Sequence, residues 1–350
     1  MKNLRLLNEG YKKSNIFTGA RGQYLLNGKK KYLDLSFGAG TLLLGHQSKI
    51  FLKSVKDITS KKISLIATPN KEAINYSNIL AKFLKNYSKF IFCNTGSEAI
   101  LKSIRISNAI SNKKLIVCVT GSWHGSVDRT LFTTNRSLKS MPISSGLTDY
   151  NLKNLRFIPY NNIGKSKKIL EKIKNKISCV LIEPIQASLP QRDVKNYLKF
   201  LDKYCKKNKI ILIFDETISG IRFNGSSVQK LLNLNPDITT FGKCFGGGLP
   251  IGIIAVKKNI LMKISKLKLR VFFGGTFSGN QISTYLGRKT LEYILNNKKK
   301  IFLDLEKKSS FLEKKIKKHM ITENINANIF RYCSMFRIVF SKEIPKDRVE

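Results

Sequence analysis

Short apolar runs recur through the middle of this chain: Lys89 to Cys93, Lys114 to Val119, Asn154 to Ile158, Ser178 to Ile182, Ile210 to Phe214, Ile238 to Phe241 and Ile251 to Val256. Each predicts a buried strand. Between several of them the pattern changes to apolar positions every three or four residues, as in Glu98 to Ile110, Ser166 to Lys174 and Val194 to Lys207, which predicts helices. Apolar strands alternating with helices predict an α/β fold with a mostly parallel central sheet covered by helices. Ligands of such sheets bind beyond the carboxyl ends of the strands.

The ends of the chain differ from this core. Residues 1–50 predict an N-terminal helix or arm and then a hairpin, Gly22 to Leu26 against Lys31 to Leu35, turned by Asn27-Gly28. A glycine-rich turn follows at Phe37-Gly-Ala-Gly40. Residues 283–319 predict one or two basic helices, and residues 325–341 a strand pair. The expected division is an arm and small-domain hairpin over 1–50, a large domain over 51–290, and the C-terminal part of the small domain over 291–350. That last part is expected to be incomplete, because no closing helix follows the strand pair.

Composition narrows the class. The chain has 350 residues, 42% apolar and 10% aromatic, ordinary for a globular protein. No apolar run reaches the ~18–20 residues of a membrane span, and the N-terminus lacks the features of a secretion signal. Six cysteines stand singly, with no CxxC pair, and there are three histidines. That pattern argues against a metal site or a disulfide scaffold and predicts a reducing cytoplasm. The net charge of +42 would suit nucleic acid or an anionic surface. The lysines are scattered, however, over 29–31, 165–176, 298–300 and 314–318, and no segment interleaves them with aromatics for base stacking. They are expected to cover solvated faces, so a nucleic-acid partner is not expected.

Candidate chemistry clusters at the predicted strand ends. Lys243 lies between the run ending at Phe241 and the glycine turn Gly246 to Gly248. Asp215 ends another run, with Thr217 two residues on. A lysine amine and an aspartate delivered this way suit pyridoxal phosphate: the amine forms a Schiff base with the aldehyde, and the carboxylate keeps the pyridine nitrogen protonated. Thr217 would then pack against the back of the ring. Asn94-Thr95-Gly96-Ser97-Glu98 breaks a strand into a helix, which provides either a phosphate cradle at Gly96 and Ser97 or an ordinary capped helix start. The only tryptophan, Trp123, stands with His124 and Gly125 after a strand, as a stacking aromatic or a packed loop residue. His124 is a weaker candidate for a base. Glu183, before Pro184, either holds a cofactor or substrate polar group or is architectural. Gly274 to Asn280 is a second Gly/Thr/Ser loop with phosphate-binding chemistry.

Together, and in this order, NTGSEA (94–99), WHG (123–125), IEP (182–184), IFDE (213–216), the Lys243 turn and GTFSGN (275–280) resemble the class-III pyridoxal-phosphate aminotransferases of fold type I, with glutamate-1-semialdehyde aminomutases the most similar in look. The resemblance spans roughly residues 18–341. It implies Lys243 as the Schiff-base lysine, Asp215 on the pyridine nitrogen, Gly96 and Ser97 on the phosphate, and Trp123 stacked on the ring. It also implies Thr276 reaching the phosphate of a neighbouring subunit, hence a homodimer. Departures are Thr217 where valine is commoner, Trp123 where tyrosine or phenylalanine is commoner, Gln281 where proline is usual, and the short stretch after Ser334-Met335-Phe336. The implied activity is transfer of an amino group, within one molecule or between an amine and a keto or aldehyde acceptor. The alternatives are a cofactor-binding homologue impaired by its reduced small domain, and a basic nucleic-acid-binding protein.

Overall fold

A computed structural model describes residues 16–65, 68–135, 137–191 and 193–341. The expected N-terminal arm, over 1–15, lies outside the described residues. An antiparallel sheet comes first: β1 (Gly19–Arg21), β2 (Tyr24–Asn27) and β3 (Lys30–Leu33). Asn27-Gly28 turns β2 into β3, with Gly28 at the positive φ such a turn requires. A short turn, α1 (Phe37–Gly40), and the helices α2 (Lys49–Ser60) and α3 (Lys71–Phe83) lead to the central sheet.

The central elements follow as β4 (Lys89–Cys93), α4 (Gly96–Ser111), β5 (Leu115–Val119), a small hairpin of β6 (Phe132–Thr134) and β7 (Ser140–Pro142), α5 (Asp149–Lys153), β8 (Leu155–Ile158) and α6 (Ile163–Ile173). Then come β9 (Ile177–Ile182), α7 (Lys195–Lys207), β10 (Ile211–Asp215), α8 (Val228–Leu232), β11 (Ile238–Gly242), β12 (Gly252–Val256) and α9 (Lys258–Ser265). Two helices, α10 (Gln281–Asn296) and α11 (Lys298–Thr322), and a hairpin of β13 (Asn328–Tyr332) and β14 (Met335–Val339) complete the described chain. Every strand expected between residues 89 and 256 is present.

The seven-stranded sheet runs β4-β12-β11-β10-β9-β5-β8. It is parallel except for β12, which is antiparallel to both β11 and β4. A parallel pair needs a crossover of about a dozen residues or more. The segment from Lys243 to Ile251 is too short for one, so β12 must turn back. Both faces of the sheet are covered. Val180, Leu212 and Phe214 pack with Leu198 and Leu201 of α7, while Leu181, Ile211 and Ile213 pack with Ile100 and Ile104 of α4. Each such side chain contributes roughly 1.5–3 kcal/mol on leaving water. The carboxyl ends of β4, β5, β9, β10 and β11 therefore reach one edge of a rigid layer.

Helix α10 fixes the turn that follows Lys243. Tyr76 of α3 donates a hydrogen bond to the Phe245 carbonyl at 2.6 Å. A methyl group at Gly287 would stand 2.2 Å from that carbonyl oxygen and 3.0 Å from the Tyr76 ring. Gly287→Ala should thus force α10 away from the turn and lower stability by about 1–3 kcal/mol in urea denaturation. Gly164→Ala, whose new methyl would meet nothing nearer than 4.0 Å, should not destabilise. Equal midpoints for the two variants would contradict this packing.

Candidate active site

Asp215 ends β10 and is 4% exposed. Its Oδ1 accepts from the Thr217 backbone N–H at 3.1 Å and the Thr240 hydroxyl at 3.2 Å. Its Oδ2 lies 2.9 Å from His124 Nδ1. Burial pushes the carboxyl up, but the hydrogen bond and charge of His124, with Thr217, outweigh it and hold Asp215 below its ordinary value. His124 is itself buried, and its Nε2 has no partner among the described residues.

Glu183 follows β9 and accepts from the Trp123 backbone N–H at 2.8 Å. Burial and the neighbouring charge of Asp215 push it up to about 8, against the opposing effects of that N–H and of Lys243. Trp123 itself stands at the rim, 43% exposed.

Lys243 leaves β11 with φ 49, in the left-handed region. Its Nζ donates to the Ala39 carbonyl at 2.9 Å. Desolvation lowers the amine below its ordinary value, in spite of the Glu183 and Asp215 charges, with Arg222 adding to the depression. A less protonated amine is a better nucleophile.

At the opposite wall, Thr95 caps α4 by accepting from the Glu98 N–H at 3.1 Å. The amides of Gly96 and Ser97 begin the helix, where N–H groups have no intrahelical acceptor and the dipole favours an anion. Ser97 Oγ accepts from the Ser126 N–H at 3.1 Å, and a Cβ at Gly125 would lie 2.2 Å from that oxygen. The structure thus shows the cap, made by Thr95, and places Gly96 and Ser97 on the cavity wall. Lys102, which sequence reasoning missed, is only 5% exposed. It donates to Glu98 at 3.1 Å, and Glu98 accepts from the Asn94 side chain at 3.1 Å, so a half-buried ion pair braces the loop before α4. No signal in the sequence set it apart from the solvated lysines.

These walls enclose a cavity of about 500 Å³. Gly96, Ser97, Trp123, His124, Glu183, Asp215, Thr217 and Lys243 all line it. Thr276 does not; it sits on the exposed loop before α10. Ala39 and Thr41 close the cavity beside Lys243. Phe37, Gly38, Ala39 and Gly40 have φ of 47, 61, 54 and 82 in succession. For Phe37 and Ala39 this path costs roughly 1–2 kcal/mol each.

The donor set fits pyridoxal phosphate. A depressed amine, a buried ionised carboxylate and open helix-start amides stand around one cavity wide enough for a substituted ring. The sheet order with its single reversed strand and this cavity define a fold type I pyridoxal-phosphate enzyme. Comparison with known proteins supports the same class. A sequence profile of class-III aminotransferases matches residues 8–345. Glutamate-1-semialdehyde 2,1-aminomutase of Thermoplasma volcanium is 32% identical over 320 residues, covering 90% of this chain and 74% of that protein. The enzyme of the same name from Fusobacterium nucleatum is 32% identical, covering 91% and 73%. An omega-transaminase from Sphaerobacter thermophilus superposes with a TM-score of 0.85 at 22% identity, covering 95% of this chain and 77% of that one. A glutamate-1-semialdehyde aminomutase from Pseudomonas aeruginosa gives 0.83 at 17%, covering 95% and 74%. The chain belongs to the class-III aminotransferase family, enzymes of pyridoxal-phosphate-dependent amino-group transfer.

The raised carboxyl of Glu183 makes a prediction for the cofactor-free protein. The folded state keeps a proton that the unfolded chain loses near pH ~4.3. Stability should therefore fall as pH rises from there to about 8 and then level off. Glu216, fully buried and pushed up to about 7, adds a similar slope that ends earlier. Glu183→Gln should flatten the curve between about pH 7 and pH 8, by up to ~1.4 kcal/mol per pH unit in urea denaturation. Parallel curves for the two proteins would mean that Glu183 is already ionised in the fold.

Proposed function

We propose that this cavity is the site of amino-group transfer and that the substrate is an amino aldehyde of the glutamate-1-semialdehyde type, its amine returned to a neighbouring carbon of the same molecule to give 5-aminolevulinate. The convergence of Lys243, Asp215 and the Gly96–Ser97 amides on one cavity carries the reading of the site. The glutamate-1-semialdehyde aminomutases of Thermoplasma volcanium and Fusobacterium nucleatum, at 32% identity, favour the substrate. Bound pyridoxal phosphate supplies an electron sink for the carbon that loses or gains a proton.

The residues then divide the work. Lys243 would hold the cofactor through its amine and would move the proton at the reacting carbon. Asp215 would meet the pyridine nitrogen with its charge, and His124 keeps that carboxylate ionised and oriented. Gly96 and Ser97 would hold the phosphate. Trp123 and Thr217 would pack against the ring, and Trp123 at the rim would limit water. Glu183 orients the Trp123 backbone and faces the cavity.

We further propose a homodimer in which Thr276 completes the partner's phosphate site. Its loop is exposed and lies outside its own cavity, near exposed Leu269, Phe272 and Phe277. On this reading residues 51–290 form the cofactor-binding domain, and 1–50 with 291–350 the smaller one. The free cysteines, five of them buried, suit a cytoplasmic enzyme.

The test is incubation with glutamate-1-semialdehyde and no other amine. 5-Aminolevulinate should form, and Asp215→Asn should slow its formation by about a hundredfold or more. Lys243→Ala should abolish both product and the visible absorbance of bound cofactor. Silence with this substrate, alongside turnover of an amine with a keto acid, would move the assignment to an intermolecular transaminase.

A further inference from the structure

Two residues outside the cavity converge on the turn that meets Lys243. Asp34 Oδ1 accepts from the N–H groups of Ser36 at 2.8 Å and Phe37 at 3.0 Å, and Ser36 Oγ accepts from the Ala39 N–H at 3.0 Å. Asp34 Oδ2 lies 2.7 Å from His46 Nε2. The His46 ring stacks on Phe37, with 6.1 Å between ring centres and 21° between planes. The His46 backbone is bridged in both directions to Gly22, at 2.9 and 3.0 Å, which ties the pair to the first sheet. Asp34 is 6% exposed, so its charge is committed to this arrangement.

The turn delivers its carbonyls across the fold. Ala39 O meets Lys243 Nζ, and Gly40 O accepts from Arg222 and Cys244. Arg222 is anchored in turn to the Ile218 carbonyl at 3.0 Å, in the segment that follows Asp215. The left-handed path of Phe37 to Gly40 is what aims these carbonyls, and such a path persists only where its surroundings over-determine it. The surroundings here are Asp34 and His46 on one side, Lys243 and Arg222 on the other.

We propose that Asp34 and His46 are positioning residues for Lys243: they hold the Phe37–Gly40 turn in its left-handed path, so that the Ala39 carbonyl fixes the lysine amine at the cavity wall. The proposal rests on the reading of Lys243 as the residue that captures the cofactor. Its consequence is that the amine is aimed from the small antiparallel sheet as well as from β11. Neither residue lines the cavity, so their effect reaches the chemistry only through the turn.

The experiment is the rate at which cofactor-free protein captures added pyridoxal phosphate, followed by visible absorbance in stopped flow, together with the thermal transition and hydrogen exchange of the Phe37 and Ala39 amides. Asp34→Ala and His46→Ala should capture the cofactor about tenfold more slowly, equivalent to ~1.4 kcal/mol, with faster exchange at those two amides. Asp34→Asn keeps an oxygen acceptor for Ser36 and Phe37, and His46→Gln keeps a donor for Asp34. Both should capture at close to the wild-type rate. Wild-type capture by a folded Asp34→Ala or His46→Ala protein overturns the proposal. So does slow capture by Asp34→Asn or His46→Gln with unchanged amide exchange, which would leave the pair a merely structural role. If Asp34→Ala does not fold, His46→Ala carries the same comparison. A wild-type rate in Lys243→Ala would instead overturn the reading of the site, and this proposal with it.

Discussion

A carboxylate held at the end of a buried strand exists in its charged form only if the fold meets that charge, and Asp215 is met by His124. Most of the cavity follows from this pair. His124 can reach Asp215 because β5 and β10 flank β9 and end at the same edge. The peptide that carries His124 also places the Trp123 N–H on Glu183. The ionised Asp215 in turn makes ionisation of Glu183 harder, so two carboxyls of one cavity carry opposite protonation preferences. Environment separates chemically similar groups here, which is how one site can hold a charge and a neutral acid together.

The same carboxylate constrains its own neighbour. Glu216 points away from the cavity, and its side chain accepts from the Val228 and Gln229 amides at 2.7 and 3.1 Å at the start of α8. Two successive acids therefore anchor opposite sides of one strand end. Asp215 engages the cavity side, while Glu216 binds the segment to the helix behind it. Tyr87, Gln229 and Thr239 extend that anchor through buried hydrogen bonds to the neighbouring strand β11. The position of Lys243, at the end of β11, is thus coupled to the position of Asp215 by side chains as well as by the parallel ladder.

Much of this was legible in the sequence, because continuous apolar runs report buried strands and chemistry placed just after them reports one edge of a parallel sheet. The strands carrying Glu183, Asp215 and Lys243 needed nothing more. The reversed β12 was legible in principle from the short link after Lys243, a constraint of chain length rather than of pattern. Lys102, His46 and Asp34 were not legible. A buried lysine is identical in sequence to a solvated one, and among 64 basic residues it carries no local mark. The Asp34–His46 pair joins the residue after β3 to a loop, and no periodicity relates the two. Thr276 illustrates a different gap: the role proposed for it depends on a second subunit, and no pattern along one chain reports a contact between two.

The large positive charge bears on the site less than its size suggests. Exposed lysines separated from the cavity by more than ~8–10 Å are screened by salt, whereas the groups that shift Lys243 are its own desolvation and the charges of Glu183, Arg222 and Asp215 close by. Local geometry therefore sets the chemistry, and the surface charge sets at most the approach of an acidic substrate. Local geometry also bears on the choice between the two kinds of transfer. Returning an amine to the same molecule requires that molecule to stay in place between its removal and its return, whereas exchange between molecules requires it to leave. Lys243 and Asp215 serve both outcomes equally, so the choice between them rests on the other groups that line the cavity, Ala39 and Thr41 beside Lys243 among them.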